Sequence, residues 1–222
     1  MDTFISYSSA DKEAANVTKV ALRDFGLTGF LAHEDLSVSE EWRDEIIERL
    51  KTATVFVALL SKHFKASEWC AQEVGFIVSR PDVLIMPLSL DGTVPFGFIA
   101  KLQSKRVHND DDIPKLLRDV IFKKRPRLMI PRWIKKVEEA GSWRGAEAIV
   151  KPLVPYFASF TEDEAENFLV AALGNSQVWD AGDCRVDYLP AFARLHWPRL
   201  SSKTKKKFLK TLELTEDDIQ AA

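Results

Sequence analysis

Short apolar segments alternate with longer stretches of helical periodicity over the first part of the chain. Residues 3–7 (Thr-Phe-Ile-Ser-Tyr) read as a strand, and Ser8-Ser9-Ala10-Asp11 as a turn into a helix. Ala14, Val17, Ala21 and Phe25 then recur at helical spacing and give that helix one apolar face. Gly26 ends it, since glycine fits the left-handed position after a last turn. Residues 27–32 form the next strand and 33–39 a polar loop. Ser39 is placed to cap a helix with Glu40 and Glu41 in its first turn and Trp42, Ile46 and Leu50 along its stripe. Residues 54–60 (Thr-Val-Phe-Val-Ala-Leu-Leu) are almost continuously apolar, as in a strand covered on both faces. Ser67 caps a predicted helix over 68–79, and 83–88 is another buried strand, with Pro87 near its end where a lost N–H is tolerable. An edge strand is predicted at 103–108 and a closing helix at 111–124. Strand and helix in alternation, about five times, imply a doubly wound parallel sheet, whose ligands bind at the carboxyl ends of the strands.

The pattern changes after Lys124. Lys123-Lys124-Arg125-Pro126-Arg127 is a basic, proline-containing joint, and no buried strand follows it. Thr161-Glu162-Asp163-Glu164 is a capping-box pattern ahead of Phe168, Leu169, Ala172 and Leu173. Residues 201–212 read as a further helix with Phe208, Leu209 and Leu212 on one face. The expected organisation is an α/β domain over 1–124 and a small, mainly α-helical domain over 126–222.

Composition narrows the function classes. The first 124 residues carry 16 basic and 19 acidic side chains, and the remainder 15 and 14, so neither half is a polycation and no nucleic-acid partner is expected. The run Lys203-Thr204-Lys205-Lys206-Lys207 sits beside a helical apolar face and reads as its wet side. Two cysteines, Cys70 and Cys184, make neither a disulfide framework nor a metal cluster, which fits a reducing cytosol. Met1-Asp2-Thr3-Phe4 holds no basic region before an apolar stretch, so no secretory signal is expected, and no apolar run approaches the ~20 residues of a bilayer span. A cytoplasmic protein without a membrane partner is the expectation. The four histidines (33, 63, 108 and 196) have no metal-ligand spacing. P-loop, Gly-x-Gly-x-x-Gly, His-Glu-x-x-His and Gly-x-Ser-x-Gly patterns are all missing from the sequence.

Three segments carry a family likeness. Asp2-Thr3-Phe4-Ile5-Ser6-Tyr7-Ser8 resembles the first box of TIR (Toll/interleukin-1 receptor) domains. Gly29-Phe30-Leu31-Ala32-His33-Glu34-Asp35-Leu36 resembles their second strand and the BB loop after it. Leu59-Leu60-Ser61, followed by Ser67-x-Trp69-Cys70-x-x-Glu73, resembles the third strand and the next helix. The segments occur in order on the elements deduced from periodicity, and the wording Phe-Leu-Ala-His-Glu-Asp resembles bacterial stand-alone TIR proteins. The resemblance implies a flavodoxin-like five-stranded parallel sheet over the first 124 residues, and covers nothing in 126–222.

It also implies chemistry. Enzymatic TIR domains cleave NAD between nicotinamide and ribose, with NAD as substrate and no separate cofactor. The nicotinamide leaves from a positively charged nitrogen, so no general acid is needed, and one carboxylate can stabilise an oxocarbenium-like transition state. Ordinary glycosidases need two carboxyl groups. The resemblance assigns Glu73 this catalytic role. Trp69 lies four residues before Glu73 on the predicted helix, positioned to wall the pocket while Glu73 faces its opening; Cys70, Val74 and Ile77 are expected to pack on the sheet. Tyr7, Ser8 and Ser9 follow the first strand at its carboxyl end, where they either contact ribose and phosphate or cap the helix. Phe30, His33 and Asp35 flank the loop that closes over the nucleotide or joins copies through TIR–TIR self-association, and Trp42 reads as core. Attack by water yields ADP-ribose, and attack by a group of the same molecule yields a cyclic product. For bacterial relatives the resemblance implies defence against phage. A non-catalytic adaptor is the alternative, and residues 126–222 are expected to sense a trigger, hold an oligomer, bind a protein partner or merely cap the TIR core.

Overall fold

The computed structural model describes residues 2–31 and 42–220. The chain divides into two compact units, Met1–Lys124 and Arg125–Ala222. The first contains strands β1 (Asp2–Ser6), β2 (Thr28–Leu31), β3 (Val55–Leu60), β4 (Leu84–Ser89) and β5 (Lys105–Arg106). They form one five-stranded sheet in the order β2-β1-β3-β4-β5, with every pairing parallel. Helices α1 (Lys12–Asp24), α2 (Trp42–Thr52), α3 (Lys62–Ala66), α4 (Glu68–Ile77) and α5 (Asp112–Lys124) connect or close the strands. The expected α/β fold is therefore the observed one.

Alternation along the strands divides the core. Phe4 of β1, Phe30 of β2, and Phe56, Ala58 and Leu60 of β3 pack with Ile46 and Leu50 of α2 and with Cys70, Val74 and Ile77 of α4. Phe4 stacks on Phe56 at 5.6 Å between ring centres and meets Phe30 at 5.4 Å. On the opposite face α1 comes close to β2. A Cβ on Gly29 would lie 3.1 Å from the Ile5 methyl and 3.4 Å from the α1 backbone at Lys19. Glycine here sets the helix-to-sheet distance. Gly26 takes φ 73, and Leu27 N–H donates to the Leu22 carbonyl at 2.9 Å, closing α1 with a Schellman turn. The inner stripe of α1 differs from expectation at one position: Thr18 is buried and Val17 only half-buried, because the Thr18 hydroxyl donates to the Ala14 carbonyl at 2.8 Å.

β3 and β4 leave their carboxyl ends into polar fixtures. The Ser61 hydroxyl caps α3 by accepting from Phe64 N–H at 3.0 Å, and donates to Asp11 at 2.6 Å. Asp91 accepts from Lys62 N–H at 2.8 Å and Thr93 N–H at 2.9 Å, tying the turn after β4 to the start of α3. Those N–H donors hold the Asp91 carboxyl down at about 2. A depressed folded-state value stabilises above the unfolded carboxylate range and is lost as pH falls through about 2. Asp91→Asn should therefore lower the urea midpoint at pH 6, and the gap from wild type should shrink as pH approaches 2. Pro87 sits on β4 beyond the reach of β5, which pairs only with Leu88 and Ser89, so its missing N–H costs no ladder bond on that side.

The second unit is helical. It comprises α6 (Pro126–Glu138), α7 (Trp143–Val150), α8 (Glu162–Gly174), α9 (Ser176–Trp179), α10 (Leu189–His196), α11 (Ser202–Leu212) and α12 (Glu216–Gln220), with a π-helical turn at Cys184–Tyr188 leading into α10. Phe157, Phe160, Phe168 and Phe192 form an aromatic cluster closed by His196, whose Nε2 lies 2.9 Å from the Phe157 carbonyl oxygen. The capping box is present: Thr161 Oγ1 accepts from Glu164 N–H at 3.3 Å, and the Glu164 carboxylate accepts from Thr161 N–H at 2.9 Å. Thr161→Ala should cost about 1 kcal/mol, measurable by urea denaturation of this unit.

Candidate active site

Glu73 belongs to the core stripe of α4. Cys70, Glu73, Val74 and Ile77 are its buried residues, at the i, i+3, i+4, i+7 spacing that faces the sheet. Ser67 fixes the start of the helix by accepting from Cys70 N–H at 3.3 Å. Glu73 is only 4 % exposed. This corrects the expectation that it faces an opening beside Trp69. Trp69 is the outer residue, 38 % exposed, while Glu73 turns inward with Cys70. A four-residue offset on a helix leaves about 40° between side chains, enough to separate a wall residue from a core residue.

The carboxyl meets the carboxyl end of β1. Phe4 and Ser6 share a strand face, Ser6 pairs in register with Ala58, and the Ser6 hydroxyl donates to Oε2 of Glu73. Both partners are buried. Burial, opposed by the Ser6 bond, pushes the Glu73 carboxyl up to about 7. The group is thus divided between acid and carboxylate near neutral pH, in a dry setting where a carboxylate acts strongly on a nearby positive charge. Burial also pushes the Cys70 thiol up to about 11. It stays protonated and is unsuited to nucleophilic work.

The other sequence-derived candidates are spread around this pair. Tyr7 is buried and Ser8 half-buried; Ser9 is exposed in the 3-10 turn Ser9–Asp11. Neither the Ser8 side chain nor the Asp11 side chain makes an N-cap hydrogen bond to its helix, so the capping alternative does not describe Ser8. Phe30 is buried in the core against Phe4, with the Arg49 guanidinium 5.2 Å from its ring centre. His33, Asp35, Leu36, Val38, Ser39 and the side chain of Trp42 lie outside the described residues. Among the described residues, no group of three His, Cys, Asp or Glu side chains is placed to hold a metal, and no helix is long and apolar enough to cross a membrane.

Sequence reasoning missed two features. Ser6 passed as an ordinary strand residue, although its two-residue offset from Phe4 puts it on the α4 face. Phe98, on the 3-10 turn Gly97–Ile99, is 83 % exposed, while the adjacent Ile99 is buried in the same cluster as Cys70 and Val74. An aromatic ring held outward by a buried neighbour offers a flat face to a ligand or partner near α4. An open hollow of about 470 Å³ at the start of α1 is lined by Asp11, Glu13 and Asp110 against a single cation, Lys12. Its acidic lining disfavours phosphate groups.

A crystal structure of the TIR domain of the Toll-related receptor TRR-2 from Hydra magnipapillata aligns with a TM-score of 0.46 at 17% identity, over 55% of this chain and 95% of that one. The probable 2' cyclic ADP-D-ribose synthase TcpB of Brucella abortus (strain 2308) is 36% identical over 74 residues, 33% of this chain and 30% of that protein. Its counterpart in Brucella melitensis biotype 1 is 38% identical over 74 residues, with the same coverage. The match thus spans under a third of the length of these relatives. A family model described as TIR domain matches residues 3–118, more than half of the 222-residue chain, and the chain therefore belongs to the TIR domain family.

Proposed function

We propose that this protein cleaves NAD at the bond between nicotinamide and ribose, with the Glu73 carboxylate stabilising the ribosyl cation. The observation that carries this is a lone carboxyl buried at the carboxyl end of a parallel sheet in a TIR domain, where such sheets bind ligands. A buried glutamate without an ion-pair partner among the described residues costs folding energy, and groups held at such cost cluster at functional sites.

In the reaction the C1'–N bond breaks and nicotinamide leaves with the bonding pair as a neutral base. The cationic C1' is held beside the carboxylate. Water then attacks and loses a proton to give ADP-ribose, or a hydroxyl of the same molecule attacks and loses its proton to give a cyclic product. The relatives named as cyclic ADP-ribose synthases favour the second outcome. The ionised form of Glu73 is the active one, so kcat/KM for NAD should rise with pH through about 7 and then level off. Trp69 and Phe98 supply aromatic faces for a base, and Ser8 and Ser9 supply hydroxyls near the sheet's carboxyl edge. The direct test is incubation of the purified protein with NAD, following nicotinamide release.

The second reading is a scaffold that works by TIR–TIR association. Two observations favour it: the near-complete burial of Glu73, and the exposed apolar residues Val94, Phe98 and Leu102 after β4. Both readings fit an enzyme whose site opens on self-association, in which case turnover per molecule rises with protein concentration. A constant specific rate across dilution would remove assembly from the account.

A further inference from the structure

The hydrogen bond between Ser6 and Glu73 joins residues 67 positions apart in sequence, and both ends are buried. It is the hydrogen bond that the Glu73 carboxyl makes among the described residues. A carboxylate has two oxygens, and Ser6 occupies one of them, Oε2. We propose that Ser6 is a positioning residue for Glu73: its hydroxyl anchors Oε2, fixes the rotamer of the side chain, and leaves Oε1 to meet the ribose of the substrate. This rests on the NAD-cleaving reading above.

The strand makes the anchor rigid. Ser6 ends β1, flanked in the sheet by β2 and β3, and its backbone is held in register with Ala58. The helix end is also fixed, because the Ser67 cap sets the phase of α4. Without the anchor, a glutamate with three side-chain torsions samples several rotamers, and near-attack geometry at C1' is lost for much of the time. A hydroxyl is also the right strength of donor here. A lysine or arginine in its place would neutralise the carboxylate that must face a cation.

On α4 itself, Cys70 faces the same Ser6–Glu73 pair, and burial keeps its thiol protonated; the other charged groups that the described residues bring to α4 are committed elsewhere. β3 brings no titratable side chain, and β1 only Asp2, at the opposite end of the strand. From α2, Arg49 bonds Glu45 at 2.7 Å and covers the Phe30 ring. From α3, Lys65 lies over the Phe96 ring. Asp11, bonded by Ser61 at 2.6 Å, acts on the Cys70 thiol, which burial keeps protonated. Among the described residues, Ser6 is thus the group whose removal moves the Glu73 titration, and since its bond favours the ionised form, removal moves that titration upward.

The test compares Ser6→Ala and Ser6→Thr with wild type by two measurements. The first is the pH profile of nicotinamide release from NAD; the second is the titration of Glu73 followed by carbon-13 NMR of glutamate-labelled protein. Ser6→Ala should lower kcat about 10- to 100-fold with KM nearly unchanged, the range expected for losing one hydrogen bond to a charged group. Its ascending limb and its Glu73 titration should both move to higher pH, and Ser6→Thr, which keeps the hydroxyl, should restore both. If Ser6→Ala does not fold, Ser6→Cys, which keeps the volume but is a weak donor, is held to the same criteria. An unmoved Glu73 titration, or wild-type kcat in the folded variant, overturns the proposal. If the wild-type protein releases no nicotinamide at all, the NAD reading fails separately, and the NMR titration still decides whether Ser6 governs Glu73.

Discussion

Glu73→Gln is expected to lower kcat/KM for NAD by on the order of 10³-fold while leaving the fold intact. Glutamine matches glutamate in shape and can still accept from the Ser6 hydroxyl, so the core around Cys70, Val74 and Ile77 keeps its packing. What is lost is the negative charge. The leaving nicotinamide needs no protonation, so stabilising the developing ribosyl cation is the main chemical task left to the protein. In a site closed to water that interaction is barely screened, and a neutral amide cannot replace it. A loss confined to KM would point instead to a binding role for the residue.

The same substitution should make the protein more stable at alkaline pH. The Glu73 carboxyl titrates near 7 in the folded chain against an ordinary value of 4.5. A raised value means that the folded state holds the proton more tightly than the unfolded state. Its contribution is fully present below the unfolded value, near pH 4, and is lost as pH climbs through about 7. The shift corresponds to about 3 kcal/mol of destabilisation once the group is ionised in both states. Glu73→Gln does not titrate, so its advantage over wild type should be near zero at pH 4 and grow to about 3 kcal/mol at pH 8. Urea unfolding of both proteins across this range checks the slope. A gain in stability coupled to loss of turnover would mark Glu73 as kept for function at a cost to the fold. A pH-independent gap would mean that burial does not control this carboxyl.

The parallel sheet was legible because β3 and β4 read as apolar runs that only a doubly covered sheet accommodates, and because Gly26 and Ser67 mark helix ends by local chemistry that tertiary packing does not override. Helix α3 escaped notice: it is five residues long, with Phe64 as its buried side chain, too short for a periodic signal. The edge strand shrank to two residues, since β5 pairs with only the last two positions of β4. At the site, the identity of Glu73 was readable from the Trp-Cys-x-x-Glu pattern, but its direction was not. Placing it beside Trp69 ignored that 70, 73, 74 and 77 make one stripe, in which an acidic residue is itself the anomaly. Ser6 could have been found by strand parity from Phe4. Its partner could not, because no local rule relates residues 67 apart until the sheet and helix are assembled. Phe98 carried no pattern; its exposure follows from Ile99 anchoring the turn.

The most direct test is mass spectrometry of NAD incubated with the wild-type protein and with Glu73→Gln at pH 8. Nicotinamide together with ADP-ribose, or with a cyclic product one water lighter, is expected from the wild type, and unchanged NAD from the variant. Equal nicotinamide release from the two proteins would contradict it.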